Sequence, residues 1–261
     1  MGLGEIISKS FGEYKANAGA YSLAVFLIYG IPVILFNLLI GYYYGFDMTG
    51  LSSRLGEVAN LSELWIIISP LAVILSAYIL VYSLLYVILY RGIIDVSKKK
   101  KFSFGEVFSL GTKKYGKTLG FYVVYFLFLV GLFLMLIIPG IIFSIYWALA
   151  IYVLIYEDKN IIDSLKASFN LVRKRWWMTL AYVIVFSLIT WIISFVISIP
   201  SSSLALYTGF KQALSGDISS NLILISKIIS VITQIISNCI IIPLTILFGK
   251  NLYLEYKRKK A

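Results

Sequence analysis

The chain has 261 residues, of which 60% are hydrophobic and only 13% charged, with no histidine, one cysteine and a formal charge of +11. Soluble domains run at roughly 45 to 50% apolar and about 25% charged, so this is the composition of an integral membrane protein, and its apolar runs lack the alternation of a membrane β-barrel. Histidine-dependent acid–base and triad chemistry, zinc sites and internal disulfides are excluded, and no cofactor or metal is expected. Cys239, inside an apolar run, reads as a small buried hydrophobe.

Leu3 to Lys15 place Leu3, Ile6, Ile7, Phe11 and Tyr14 at helical spacing, with Glu5, Lys9 and Glu13 away from them, which predicts a short amphipathic helix along the membrane interface. Ala18-Gly19-Ala20 precedes the next apolar run, as expected of an uncleaved anchor. The first span is expected over about Tyr21–Gly45, kinked at Pro32, with Gly41 and Gly45 allowing close helix approach. A polar loop carries Asp47, Arg54, Glu57 and Glu63, and a second span covers about Leu64–Tyr90 with Pro70 near its start.

Arg91 to Lys117 is strongly basic and includes Lys98, Lys99, Lys100 and Lys101. Within it Ser103 is placed as an N-cap, Glu106 completes a capping box, and Phe102 can staple onto Val107. The third span, about Leu119–Ile138, is expected to turn at Pro139-Gly140 into a short fourth, Ile141–Tyr156, so this pair either crosses fully or forms a re-entrant hairpin. After Glu157-Asp158, Asn160 and Asp163 start a second marked helix, with Ile161, Ile162, Leu165, Phe169 and Val172 on one face and Asp163, Lys166, Asn170, Arg173 and Lys174 on the other. The fifth span is expected from Trp176 to a stop at Pro200, followed by a Ser- and Gly-rich loop to Asn221. The sixth runs over about Leu222–Phe248, with a basic tail from Lys257 to Lys260.

Aligned by their first turns, the three amphipathic helices read Leu3-Gly4-Glu5-Ile6-Ile7, Phe104-Gly105-Glu106-Val107-Phe108 and Ile161-Ile162-Asp163-Ser164-Leu165. Each precedes two spans. The fold class expected is therefore all-α integral membrane: one membrane domain over 1–261, a six-helix transmembrane bundle with three interfacial amphipathic helices, arranged as three repeats of amphipathic helix plus transmembrane hairpin (1–92, 93–157, 158–261). Six spans collect every Lys and Arg except Arg54, Lys211 and Lys227 on one side, which assigns that side and both termini to the cytoplasm. These charges are juxtamembrane and carry no nucleic-acid-binding motif, so anionic lipid is the expected partner, with nucleic acid excluded and a membrane or cytoplasmic protein partner left open.

No Asp or Glu falls inside the predicted spans, which argues against an ion-coupled transporter and against catalysis. The spans do carry polar stripes: Ser187, Thr190, Ser194 and Ser198 on the fifth, and Ser226, Ser230, Thr233 and Ser237 on the sixth with Gln234 and Asn238 beside them. Such stripes either line a polar cavity or serve as packing contacts between helices. The cluster Arg173, Lys174, Arg175, Trp176 and Trp177 sets cations and indoles at headgroup level, either as an interfacial anchor or as a phosphate site. Glu157, at a span end, is expected to pair with Lys166 or Arg173 in a structural role.

Pro139-Gly140, Trp147, Ala150, Glu157, Ser164-Leu165, Ser168, Leu171 and Arg175-Trp176 resemble the membrane domain attached to some glycerophosphodiester phosphodiesterases and its stand-alone bacterial and archaeal relatives. The resemblance implies a multi-pass fold but no activity, because the catalytic barrel of that family depends on histidine and acidic metal ligands and this chain has no histidine. Together these features predict a non-enzymatic scaffold of the cytoplasmic membrane that binds lipid or a partner. The alternative is a carrier or channel for a lipid or small solute built on the fifth and sixth spans.

Overall fold

The structure is a computed structural model that describes residues 2–44, 55–56, 60–99, 101–215 and 219–259; Gly45, Asp47, Arg54, Glu57, Lys100 and Lys260 of the sequence reading lie outside the described residues. Within them the chain forms helices only: α1 (Leu3–Ala16), α2 (Ala18–Val25), a π turn (Phe26–Gly30), α3 (Ile31–Tyr44), α4 (Leu61–Val96), α5 (Phe104–Thr112), α6 (Tyr115–Met135), α7 (Ile137–Tyr146), α8 (Ala150–Glu157), α9 (Ile161–Val172), a 3₁₀ turn (Arg173–Arg175), α10 (Trp176–Ser215) and α11 (Ser220–Arg258). Six helical segments among the described residues are long and apolar enough to cross a membrane. The chain divides into two compact units, one of Met1–Ala24, Val87–Ile192 and Ile240–Ala261, the other of Val25–Tyr86 and Ile193–Cys239.

Proline shapes these helices less than the sequence implies. The kink expected at Pro32 is taken up just before it, where the Ile31 N–H reaches back to the Phe26 carbonyl and the helix widens into the π turn. Pro200 does not end the fifth span, because α10 continues for 40 residues through it. Ser198 and Ser201 donate to the carbonyls of Phe195 and Ser198, both at 2.9 Å, on either side of the Val196 carbonyl that the proline leaves without its helical donor. At 1.5 Å per residue α10 is about 60 Å long.

The middle hairpin turns earlier than expected. Its reversal is at Leu136, in extended conformation (φ −160°, ψ 132°), and Pro139 lies in the first turn of α7, where its missing N–H has no helical partner to lose. Gly140 is therefore a contact and not the turn: a Cβ there would sit 2.6 Å from the Phe133 ring of α6. The fourth span is broken, with α7 and α8 separated at Trp147–Leu149. The break frees the Tyr146 carbonyl from its helical partner, and the Ser168 hydroxyl of α9 donates to it at 2.7 Å.

The first unit closes on α4, α8 and α11. The Tyr152 hydroxyl of α8 lies 2.8 Å from that of Tyr90 on α4 and donates to the Ile246 carbonyl of α11 at 3.1 Å. Gly249 of α11 leaves the room this needs, since a Cβ would fall 2.1 Å from the Tyr152 oxygen. Ala150 to Ile155 are all buried around this junction.

Each amphipathic helix lies on the end of one of these three helices and buries the same two register positions: Ile6 and Ser10 of α1, Val107 and Gly111 of α5, Ser164 and Ser168 of α9. Ser10 meets Asn251 of α11, Ser168 meets Tyr146 before α8, and Gly111 touches the backbone of α4 at Ile88. The buried face of α9 accordingly differs from the expected one, because Ile162 is exposed and two serines are buried with Leu165 and Val172. Close approach to a neighbouring backbone favours a small residue over a large apolar one. The Phe102 ring packs edge-on to Tyr21, centroids 4.8 Å apart.

The α4–α5 crossing is the tightest of these contacts. A Cβ on Gly92 would lie 2.1 Å from the Val107 carbonyl oxygen, and one on Gly111 would lie 2.2 Å from that of Ile88. Because the obstructing atoms are backbone, Gly92→Ala and Gly111→Ala are each expected to destabilise the protein by about 1–3 kcal/mol. The thermal midpoint in detergent should fall for both and hold or rise for Gly116→Ala, where nothing lies within 4 Å.

Candidate functional site

Most basic residues near the helix ends are held by acids. Lys98 pairs with Asp95 at 2.6 Å and stands 4.5 Å over the Tyr156 ring, and Lys99 pairs with Glu106. The Glu106 carboxylate also accepts from the Ser103 N–H at 3.0 Å, as a capping box requires. Lys114 and Lys117, at the start of α6, both pair with Asp158, and Lys117 adds a 2.8 Å bond to the Asp158 carbonyl. Lys114 and Asp158 each adopt left-handed backbone (φ 55° and 52°), reversing the chain at two facing turns that this ion pair joins. Of the run proposed for lipid contact, Lys98 and Lys99 are thus engaged within the protein and Lys101 is exposed.

Glu157 does not pair with Lys166 or Arg173. It pairs with Lys159 at 2.7 Å and Lys257 at 3.0 Å and accepts from the Tyr253 hydroxyl at 2.8 Å, so it ties α8 to α11. The left-handed reversal at Asp158 and the burial of the serine face of α9 leave Lys166 and Arg173 exposed.

Buried charges were missed because the sequence reading ended the second and sixth spans at Tyr90 and Phe248, whereas α4 and α11 continue to Val96 and Arg258. Lys250, only 2% exposed, pairs with Glu13 of α1 at 2.5 Å, and neighbouring Asn251 donates to Ser10 at 3.0 Å. Glu255 is buried and pairs with Arg258 and Lys259, and Arg91 donates to Thr118 at 2.9 Å while approaching Asp95 at 3.5 Å. The spacings Arg91–Asp95 and Glu255–Lys259, four apart, were the available signal that these segments are helix and not loop or tail.

A different arrangement surrounds the 3₁₀ turn. Arg173, Lys174 and Arg175 form no ion pair among the described residues. The Trp176 indole donates to the Ile142 carbonyl at 3.2 Å and meets Trp177 edge-on at 4.6 Å, and Trp177 is 77% exposed. The Arg175 guanidinium stands 5.2 Å over the Tyr256 ring, and the Tyr256 hydroxyl is fixed 2.9 Å from Thr179. Arg173, Lys174, Arg175, Trp176 and Trp177, with Tyr146 and Met178, line a cleft of about 460 Å³ with no carboxylate among its described walls.

The polar stripes divide into contacts and a second cleft. Ser237 donates to Ser194 at 3.1 Å, Asn238 donates to Tyr29 at 3.2 Å and to the Gln234 carbonyl, and Thr190 and Thr233 bond back to their own helices. Ser187 and Gln234 are exposed. Of the proposed cavity residues, Ser226 and Ser230 line a cleft of about 300 Å³ shared with Ser201, Ser202, Ala205, Thr208, Ile223 and Lys227.

A family model described as a domain of unknown function, DUF7847, matches residues 75–245. The chain belongs to this family. No curated protein and no solved structure matches it. The matched stretch contains both clefts in full and excludes α1 with its Glu13–Lys250 pair.

The Lys114 and Lys117 ammonium groups hold the Asp158 carboxyl down to about 2. A carboxylate whose folded value is depressed stabilises the fold above its ordinary range of about 4, and that contribution is lost as pH falls from there through about 2. The difference in thermal midpoint between the parent protein and Asp158→Asn should therefore be constant above about pH 5 and shrink toward zero as the pH approaches 2.

Proposed function

We propose that this protein is a non-enzymatic, multi-pass protein of the cytoplasmic membrane that holds anionic lipid headgroups in the cleft at the start of α10, with that cleft and both termini on the cytoplasmic side. The observation that carries this reading is the contrast between two sets of cations: Lys98, Lys99, Lys114 and Lys117 around α5 and α6 are neutralised by Asp95, Glu106 and Asp158, while Arg173, Lys174 and Arg175 have no acid partner among the described residues. Guanidinium groups match a phosphate with paired donors, and exposed Trp177 is the residue type that seats a helix at the headgroup level.

The basic asymmetry along the sequence supports the orientation by the positive-inside rule. A role as scaffold for a protein partner fits the same surface, since lipid held at Arg173–Arg175 would anchor α9, whose Asp163, Lys166 and Asn170 face outward. The likeness of Pro139–Trp177 to the membrane domain of glycerophosphodiester phosphodiesterases belongs to this proposal too, as a shared membrane module without the catalytic barrel. For the carrier alternative, direct contact of Ser194 with Ser237 favours a cleft that holds a ligand over a path that passes one.

Replacing Arg173, Lys174 and Arg175 together with Gln removes three cations, each worth about 1 kcal/mol near an anionic surface. In nanodiscs of mixed phosphatidylglycerol and phosphatidylcholine, native mass spectrometry should find the enrichment of phosphatidylglycerol around the parent protein lost in the variant. Equal enrichment in both proteins, with unchanged thermal midpoints, would remove the basis of the proposal. Lys98→Gln and Lys99→Gln, which alter paired lysines, should change lipid retention far less.

A further inference from the structure

The second cleft lies between the later part of α10 and the first part of α11, within one compact unit. We propose that it is a binding site for a phosphate-type anion, presented either as free phosphate or as a lipid headgroup.

The lining carries one ammonium and five hydroxyls. Lys227 projects an ammonium with no ion-pair partner among the described residues, and the hydroxyls of Ser202, Ser226 and Ser230 have no hydrogen bond there either. Ser201 and Thr208 complete the polar wall, their protons given to the carbonyls of Ser198 and Ala205. No carboxylate belongs to the described lining, so the cleft offers an acceptor the Lys227 charge and the hydroxyl protons of Ser202, Ser226 and Ser230.

The outer faces of the same two helices explain why that charge needs an anion. On α10, Leu206, Phe210 and Leu214 are 67 to 75% exposed on the side opposite the cleft, and on α11 Ile225, Ile228 and Ile232 are each 49% exposed on its opposite side. With about 3.6 residues per turn, the faces at 201, 205 and 208 and at 223, 226, 227 and 230, polar but for Ala205 and Ile223, look toward each other, and the apolar faces look away. An ammonium held between helices whose outer surfaces suit hydrocarbon is costly unless neutralised. The volume, about 300 Å³, is at the lower end for small-ligand sites, which suits a phosphate with its water or a single lipid headgroup.

The test uses the full chain carrying the Arg173, Lys174 and Arg175 to Gln changes, so that the first cleft does not contribute. One arm titrates inorganic phosphate into protein in phosphatidylcholine nanodiscs, followed by phosphorus NMR. The other places it in nanodiscs containing phosphatidylglycerol without phosphate and counts retained lipid by native mass spectrometry. Binding is expected in one arm at least, which identifies the source, and should weaken about tenfold or more in Lys227→Gln while surviving in Lys227→Arg. Absence of binding in both arms overturns the proposal, as does binding of equal strength in Lys227→Gln. Should Lys227→Gln fail to fold, the Ser226→Ala, Ser230→Ala double variant decides: weaker binding supports the site, and undiminished binding overturns it.

Discussion

Contact between helix backbones, with no side chain between them, is the constraint on which the first unit depends. Gly92 and Gly111 bring α4 and α5 together, and Gly249 admits the Tyr152 hydroxyl to the backbone of α11. Lipid tails compete equally with side chains for apolar surface, so helix association in a membrane rests on close packing and on hydrogen bonds between helices. Both are present at Tyr152, where one hydroxyl joins α4, α8 and α11 through Tyr90 and the Ile246 carbonyl.

The same economy of size appears in the surface helices. Ser10, Gly111 and Ser168 occupy one register position in three separate helices, and each is buried against a neighbouring helix. Ser168 does more than fit. The break at Trp147–Leu149 exposes a carbonyl that has no place in an apolar interior, and the serine hydroxyl satisfies it. Ser168, which follows Ser164-Leu165 in the sequence resemblance, is thereby explained as the partner of a broken span, and beyond the break α8 buries its run from Ala150 to Ile155.

Helix existence was legible wherever composition decides it, as in the long apolar runs and in the Ser103 and Asn160 starts, where a cap must satisfy free N–H groups. Boundaries were less legible for a common reason. Pro139, Pro200, Tyr90 and Phe248 were read as ends, yet Pro139 sits in a first turn, α10 runs through Pro200, and α4 and α11 carry buried polar side chains past the last apolar residue. Hydropathy records whether a side chain suits lipid, and Lys250 and Glu255 are buried in protein, where a partner on another turn or another helix replaces water. The basic-aromatic cluster could be read directly because its residues are consecutive. The choice of Lys159 and Lys257 as partners of Glu157 could not, because it depends on the backbone reversal at Asp158.

The distribution of charge then separates two uses of the same residue type. A lysine facing a carboxylate in a fixed turn, as Lys117 faces Asp158, spends its charge inside the protein and locks one helix start to another helix end. Such a lysine still counts toward the net positive charge that orients a chain, since orientation follows Lys and Arg and owes little to acids. It contributes little to binding an outside anion, because the nearby carboxylate repels that anion at short range. The local balance of charge therefore ranks candidate sites better than the density of lysine along the sequence. By that measure the run Lys98–Lys101, which is the densest, gives way to the short turn Arg173–Arg175, where three cations stand beside exposed Trp177 with no acid to answer them among the described residues.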